Sequence, residues 1–339
     1  MEDKYLKNCN FIKTVLMLII VVYHSLLFWG GEWFTCNPST VIVGVKYFTQ
    51  WLNSFHIYAF VFVAGFVFFH LKHNLGKYGD TKKFILNKSK RLLVPYVFCL
   101  IIWVIPIQYL FFKFNLETLI KQYLLGTNPN QLWFLLMLFW VYLIFYFLSN
   151  FFKERNLLGG IVAIGFYCAG IVGGKFLPNI FSIWTGFKYI PIFYLGFKLK
   201  QFDKCFLYKI PVWIWFIVDM VLFVVKVVLP TSGTIYTLLG IGLDFALSIV
   251  GSAMAFFVLQ QLALLIKEEN PIINSLFKHS FGIYLFHQQI IYVVVHPLNG
   301  YINPIFIIIL SVIVSGVTAF LITTLLLKTK PTRFLIGEK

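Results

Sequence analysis

The feature that most limits what this chain can become is the recurrence of apolar runs about 20 residues long, the length a helix needs to cross the hydrocarbon core of a bilayer. The first, "FIKTVLMLIIVVYHSLLFW", is broken only by Lys13 near its start and His24 towards its end. Similar runs recur along the 339 residues, and no polar stretch between them is long enough for a soluble domain. Only 12% of the residues are charged, against roughly 25% in soluble domains. The expectation is an all-α integral membrane protein, with residues 1–339 forming a single membrane-embedded domain and no separate soluble one.

Ten transmembrane helices are expected, at about 11–29, 50–71, 92–112, 132–152, 157–174, 182–199, 210–229, 235–266, 280–296 and 304–327. The eighth is too long for one straight crossing and must tilt or extend beyond the bilayer. Ten spans put both termini on one side. Of the 28 Lys and Arg, 22 fall in the two terminal segments and in the loops on that same side; the other six are Lys46, Lys113, Lys121, Lys175, Lys188 and Lys226. Positive charge marks the cytoplasmic face, so the expected topology is N-in and C-in. The net charge of +16 then reflects orientation and a bilayer partner, not nucleic acid. The first run has no small-residue cleavage site and reads as a retained helix, not a signal peptide. Segment 113–131 has an amphipathic pattern in Leu116, Leu119, Ile120, Tyr123 and Leu124 that suits a helix lying along the interface.

Five scattered cysteines without metal-type spacing suggest neither a disulfide framework nor a zinc site. Walker, G-x-S-x-G and H-E-x-x-H motifs are absent. Histidine is the best acid–base candidate left. Lys13 and His24 are separated by close to three helical turns, so they share a face about 16 Å apart along the axis. A histidine inside a span can simply bond a neighbouring helix, but an intramembrane ionisable group is a functional candidate by default. His56 and His287 carry the same two readings. Ala64 and Gly65 are small enough for a close helix contact. In "KKFILNKSKRLLVPY", Lys82, Lys83, Lys88, Lys90 and Arg91 crowd before Pro95. Orientation alone explains such a run, yet Lys88 and Arg91 at i, i+3 could jointly hold a phosphate. Trp133 fits an outer aromatic belt, and Asp219 and Asp244 read as structural partners for buried cations.

Taken in order, these pieces resemble acyltransferase family 3, multi-pass membrane O-acyltransferases of surface carbohydrates. The resemblance rests on Lys13 before His24, Phe55-His56 through Ala64-Gly65-Phe66, Lys88 and Arg91 before Pro95-Tyr96, Leu132-Trp133-Phe134-Leu135, "YIPIFYLGFKL" from Tyr189 and "SFGIYLFHQQII" from Ser280. Lysine stands at Lys13 and Lys88 where the family favours arginine, and Ala64 where it favours serine. The resemblance implies transfer of an acyl group, usually acetyl from acetyl-CoA, to a hydroxyl of a cell-surface polysaccharide or its lipid-linked precursor. It further implies His24 as the catalytic group, general base or transient acyl carrier, with His56 orienting the acceptor. Lys13, Lys88, Lys90 and Arg91 would receive the CoA phosphates. Acyl-CoA is then a donor substrate and not a resident cofactor, no metal is expected, and polysaccharide-assembly proteins are candidate partners in a bacterial plasma membrane. The rival class is a polytopic transporter or flippase of a glycan intermediate, with His24, Asp219 and Asp244 lining its path.

Overall fold

The computed structural model describes residues 4–338 apart from 34–35, 204, 231 and 266–269. Lys204, Lys267 and Lys339, three of the cations behind the charge rule, lie outside the described residues, as do the side chains of Lys4 and Lys7. Ten long helices follow one another: α1 (Lys4–Leu27), α2 (Val43–Phe69), α3 (Thr81–Phe112), α4 (Trp133–Glu154), α5 (Asn156–Phe176), α6 (Ile183–Gln201), α7 (Val212–Val228), α8 (Thr234–Leu265), α9 (Pro271–Leu298) and α10 (Pro304–Leu326). No strand occurs among the described residues.

Eight of these helices are long and apolar enough to cross a membrane; the protein is an α-helical, multi-pass membrane protein. The expected seventh and ninth spans coincide with α7 and α9, which are not among the eight. α7 has only 17 residues, and the interior polar residues of α9, His279, Ser280, His287, Gln288 and Gln289, dilute its apolar character. Residue 266, the expected end of the eighth span, lies outside the described residues.

Several helices start well before their apolar runs. α3 begins at Thr81, where the Asp80 carboxylate accepts the Lys83 backbone N–H at 3.1 Å, and the polar stretch that follows forms its first turns. Asn270 does the same for α9, accepting from Ile272 and Ile273 ahead of Pro271 at the first helical position. An apolar run marks what the bilayer requires; a cap marks where the helix begins. α3 widens into a π-helical stretch over Leu100–Val104, just ahead of Pro106, which cannot donate to the preceding turn.

Glycines set the closest approaches. A Cβ on Gly65 of α2 would fall on the Phe193 carbonyl of α6, and a Cβ on Gly196 of α6 would fall on the Phe62 carbonyl of α2. The two backbones therefore touch reciprocally, the close contact anticipated from Ala64 and Gly65. α1 packs against α2, α8, α9 and α10, so the helix carrying Lys13 and His24 runs through the middle of the bundle. Between α3 and α4, Leu116–Thr118 and Leu119–Leu124 form a short helical segment. It exposes Leu116, Ile120 and Leu124 and buries Tyr123, as its amphipathic pattern anticipates.

Candidate active site

His24 lies in the last turn of α1, and its Nδ1 is 3.1 Å from the Ile20 carbonyl one turn back. The fully buried His287 of α9 approaches it, with Nε2 of His287 3.1 Å from Nδ1 of His24. The Nδ1 atom of His287 faces two carbonyl oxygens, Tyr284 at 2.8 Å and Ile283 at 3.1 Å. Carbonyls only accept, so the His287 proton belongs on Nδ1 and its Nε2 is a bare acceptor. His24 must then donate from Nδ1, which leaves its own Nε2 with a free lone pair. One chain of bonds thus runs from the α9 backbone through two imidazoles to a basic nitrogen.

His56 on α2 is also buried, with Nδ1 2.7 Å from the Leu52 carbonyl, and the same logic leaves its Nε2 unprotonated. Its ring packs on Tyr23 with centroids 4.4 Å apart. His24 and His56 line one cavity of about 250 Å³ together with Tyr23, Glu32, Trp33 and Asn53. The residue 125–132 loop closes another side. Tyr284 donates its hydroxyl to the Gln131 carbonyl, and the Gln131 and Gln289 amides bond each other at 2.6 and 3.0 Å. Trp33 donates to the Tyr292 hydroxyl at 2.6 Å. Trp133, whose sequence position suggests an aromatic belt, lines this cavity as well.

A second cavity, of about 220 Å³, lies further towards the N-terminus of α1. Lys13, Lys88 and Arg91 are its cations, and Tyr142 and Ser280 are among its other walls. The Lys88 ammonium sits over the Tyr142 ring, 3.4 Å from its centroid, and the Arg91 guanidinium is 4.6 Å from the centroid of the Phe281 ring. Arg91 also donates to the Gly337 carbonyl and pairs with Glu338, each at 2.7 Å. Lys90 is exposed and does not line this cavity, because two residues beyond Lys88 a side chain points to a different face of the helix. The two cavities share three wall residues, Ile20, Phe134 and Tyr284.

The intramembrane acids separate in role. Asp244 pairs with Lys226 at 2.6 Å, but the pair is part-exposed and not the buried one expected from the sequence. Asp219, fully buried, meets no cation among the described residues and instead accepts from the Trp51 indole at 2.8 Å. Sequence reasoning missed Gln131, Gln289, Tyr284 and Tyr292; the available signal was a Gln-Gln pair directly after His287 in an otherwise apolar stretch.

What this arrangement can do is take up and give back a proton at one nitrogen, in a polar cavity that adjoins a basic one. No curated protein matches the chain, and no solved structure does. A family model described as an acyltransferase domain matches residues 6–328, all ten long helices except the first two residues of α1. The order of motifs along the sequence and this match agree: the chain belongs to acyltransferase family 3.

Proposed function

We propose that this acyltransferase is an O-acyltransferase, in the simplest case an O-acetyltransferase, of a bacterial plasma membrane. It takes the acyl group from cytosolic acyl-CoA and places it on a hydroxyl of a surface polysaccharide or its lipid-linked precursor. The observation that carries the reading is the pair of cavities: a basic one suited to phosphates and a histidine-lined one suited to a hydroxyl, meeting at Ile20, Phe134 and Tyr284.

With both termini cytoplasmic, Lys13, Lys88 and Arg91 form the inner rim and hold the CoA phosphates. Lys88 and Lys13 act as point charges, and the stacked Arg91 is the one planar fork available. The pantetheine arm is slender enough to follow α1 towards the shared wall, bringing the thioester near His24. There the acceptor hydroxyl gives its proton to Nε2 of His24 as its oxygen attacks the thioester carbon. The imidazolium is stabilised through its Nδ1–H by the bare Nε2 of His287. Collapse of the tetrahedral intermediate forms the ester, breaks the carbon–sulfur bond and returns the proton from His24 to the departing thiolate. His56, across the cavity, accepts a hydrogen bond from the acceptor and orients it.

The transporter reading needs one path lined by His24, Asp219 and Asp244. His24 and Asp244 line two adjoining cavities, but Asp219 lines neither of them. The deciding experiment is proton NMR of surface polysaccharide from cells with wild-type protein, the His24→Ala variant at equal abundance, or no protein. Base-labile O-acetyl signals are expected in the first alone, at equal glycan yield. Unchanged acetylation in all three with a fall in surface glycan where the protein is missing would replace the enzyme with a transporter.

A further inference from the structure

A third cavity, about 740 Å³ and larger than the other two, is not used by the reaction as described. It lies at the same end of α1 as His24, between the α5–α6 pair on one side and the α7–α8 pair on the other, with α2 as its floor. Glu32 and Asn53 belong to both its lining and that of the histidine cavity, so the two adjoin there. Its size falls in the range of small-molecule sites, but its walls are wetter than is usual for them. Tyr58 of α2, stacked on Tyr189, and Tyr167 of α5, packed on Phe245, line it with the ring surface those contacts leave, and Gln50 and Ser54 add polar groups. Aromatic faces beside amides and hydroxyls are what sugar rings require, since a pyranose has an apolar face and a polar rim.

Three lysines reach this groove, and their partners differ. Lys226 is committed to Asp244 at 2.6 Å and to the Gly240 carbonyl at 3.3 Å. Lys46 and Lys188 have no carboxylate within ion-pair reach among the described residues. Lys188 is also built into place. Its stem lies on the glycine face of α5, where a Cβ on Gly170 would stand 2.9 Å from its Cγ and one on Gly174 would stand 3.7 Å from its Nζ. The alkyl chain is thereby laid against a helix while the ammonium is delivered to the groove. The carboxylate at the junction, Glu32, is held by the Gln50 amide at 2.7 Å. Uncommitted positive charge lies along the groove, and a fixed negative charge marks its passage to His24.

Building on the acyltransferase reading, we propose that this groove is the acceptor subsite and that it takes an anionic carbohydrate chain. Carboxylate or phosphate groups on the chain pair with Lys46 and Lys188, and its rings stack on Tyr58 and Tyr167. Glu32 repels those anions from the junction, so only an uncharged, hydroxyl-bearing ring passes to His24. The groove thus selects both the class of acceptor and the register in which it is presented.

The test uses the full chain in lipid nanodiscs and three probes: an oligogalacturonate, a ribitol-phosphate oligomer and neutral maltotetraose. At least one anionic probe is expected to bind tighter than maltotetraose and to weaken as salt is raised; the tighter of the two identifies carboxylate or phosphate as the recognised group. Lys46→Gln and Lys188→Gln should each weaken that probe roughly tenfold, the loss of one charge pair worth 1.4 kcal/mol. Maltotetraose binding should not change, and Lys46→Arg should restore affinity. Equal binding of all three probes, or anionic binding indifferent to both lysine variants, overturns the proposal. Anionic binding without any acyl transfer would leave the groove standing and remove the acyltransferase reading; transfer without charge selection would do the reverse.

Discussion

At the scale of single residues, the proposed reaction is divided between a group that would touch the acceptor, His24, and one that would act only through it. His287, 3.1 Å from Nδ1 of His24, would be a positioning residue that fixes the proton there and leaves Nε2 as the base. His287→Ala should lower kcat by about 10²-fold or more, within the range of general-base effects, while the KM for acyl-CoA stays near its wild-type value. A purely structural role would instead reduce the amount of folded protein and leave kcat per folded molecule unchanged. Arg91→Lys should show the opposite split, raising the acyl-CoA KM several-fold with kcat retained, because an ammonium cannot form the fork or the stack on Phe281. His24 and Lys13 were legible in the sequence because their spacing is a helical one. The bond from His287 to His24 joins residues 263 apart, and no local pattern encodes such a meeting; in the sequence, His287 was as open a case as His24. Lys90 shows the converse: it belongs to the basic run, and only its helical phase withholds it from the cavity.

At the scale of elements, the helices were legible and their ends less so. Apolar length locates a span, but α3 gains its first turns from residues that read as a polar loop, because Asp80 caps them. The reciprocal contact of α2 and α6 is where sequence and packing agree most closely. Gly65→Ala or Gly196→Ala should cost about 1–3 kcal/mol, the usual penalty for overpacking, and should lower the Tm measured in detergent. Gly165→Ala, on α5, is the matched control. Nothing lies within 4 Å of its Cβ position, and alanine favours the helix, so Tm should hold or rise. A drop of equal size at all three glycines would remove the special status of the α2–α6 contact.

At the scale of the whole molecule, the basic cavity and the histidine cavity lie towards opposite ends of α1, and the reaction requires these to face opposite sides of the membrane. Single cysteines placed at Lys83 and at Asn37 in a cysteine-free background test this. An impermeant maleimide added to intact spheroplasts should label Asn37→Cys and spare Lys83→Cys, and inverted vesicles should give the reverse. The opposite pattern would turn the donor site outward and end the acyl-CoA reading. Charge asymmetry predicts this orientation from sequence, whereas nothing there disclosed that the two cavities nearly meet. That near-meeting has an electrical consequence. On the proposed orientation the two recesses approach from opposite faces with Ile20, Phe134 and Tyr284 between them, so part of the voltage across the membrane would fall over a layer a few side chains deep. The side chains that let a thioester approach His24 would then also have to hold back ions, and their bulk would answer to both catalysis and leak.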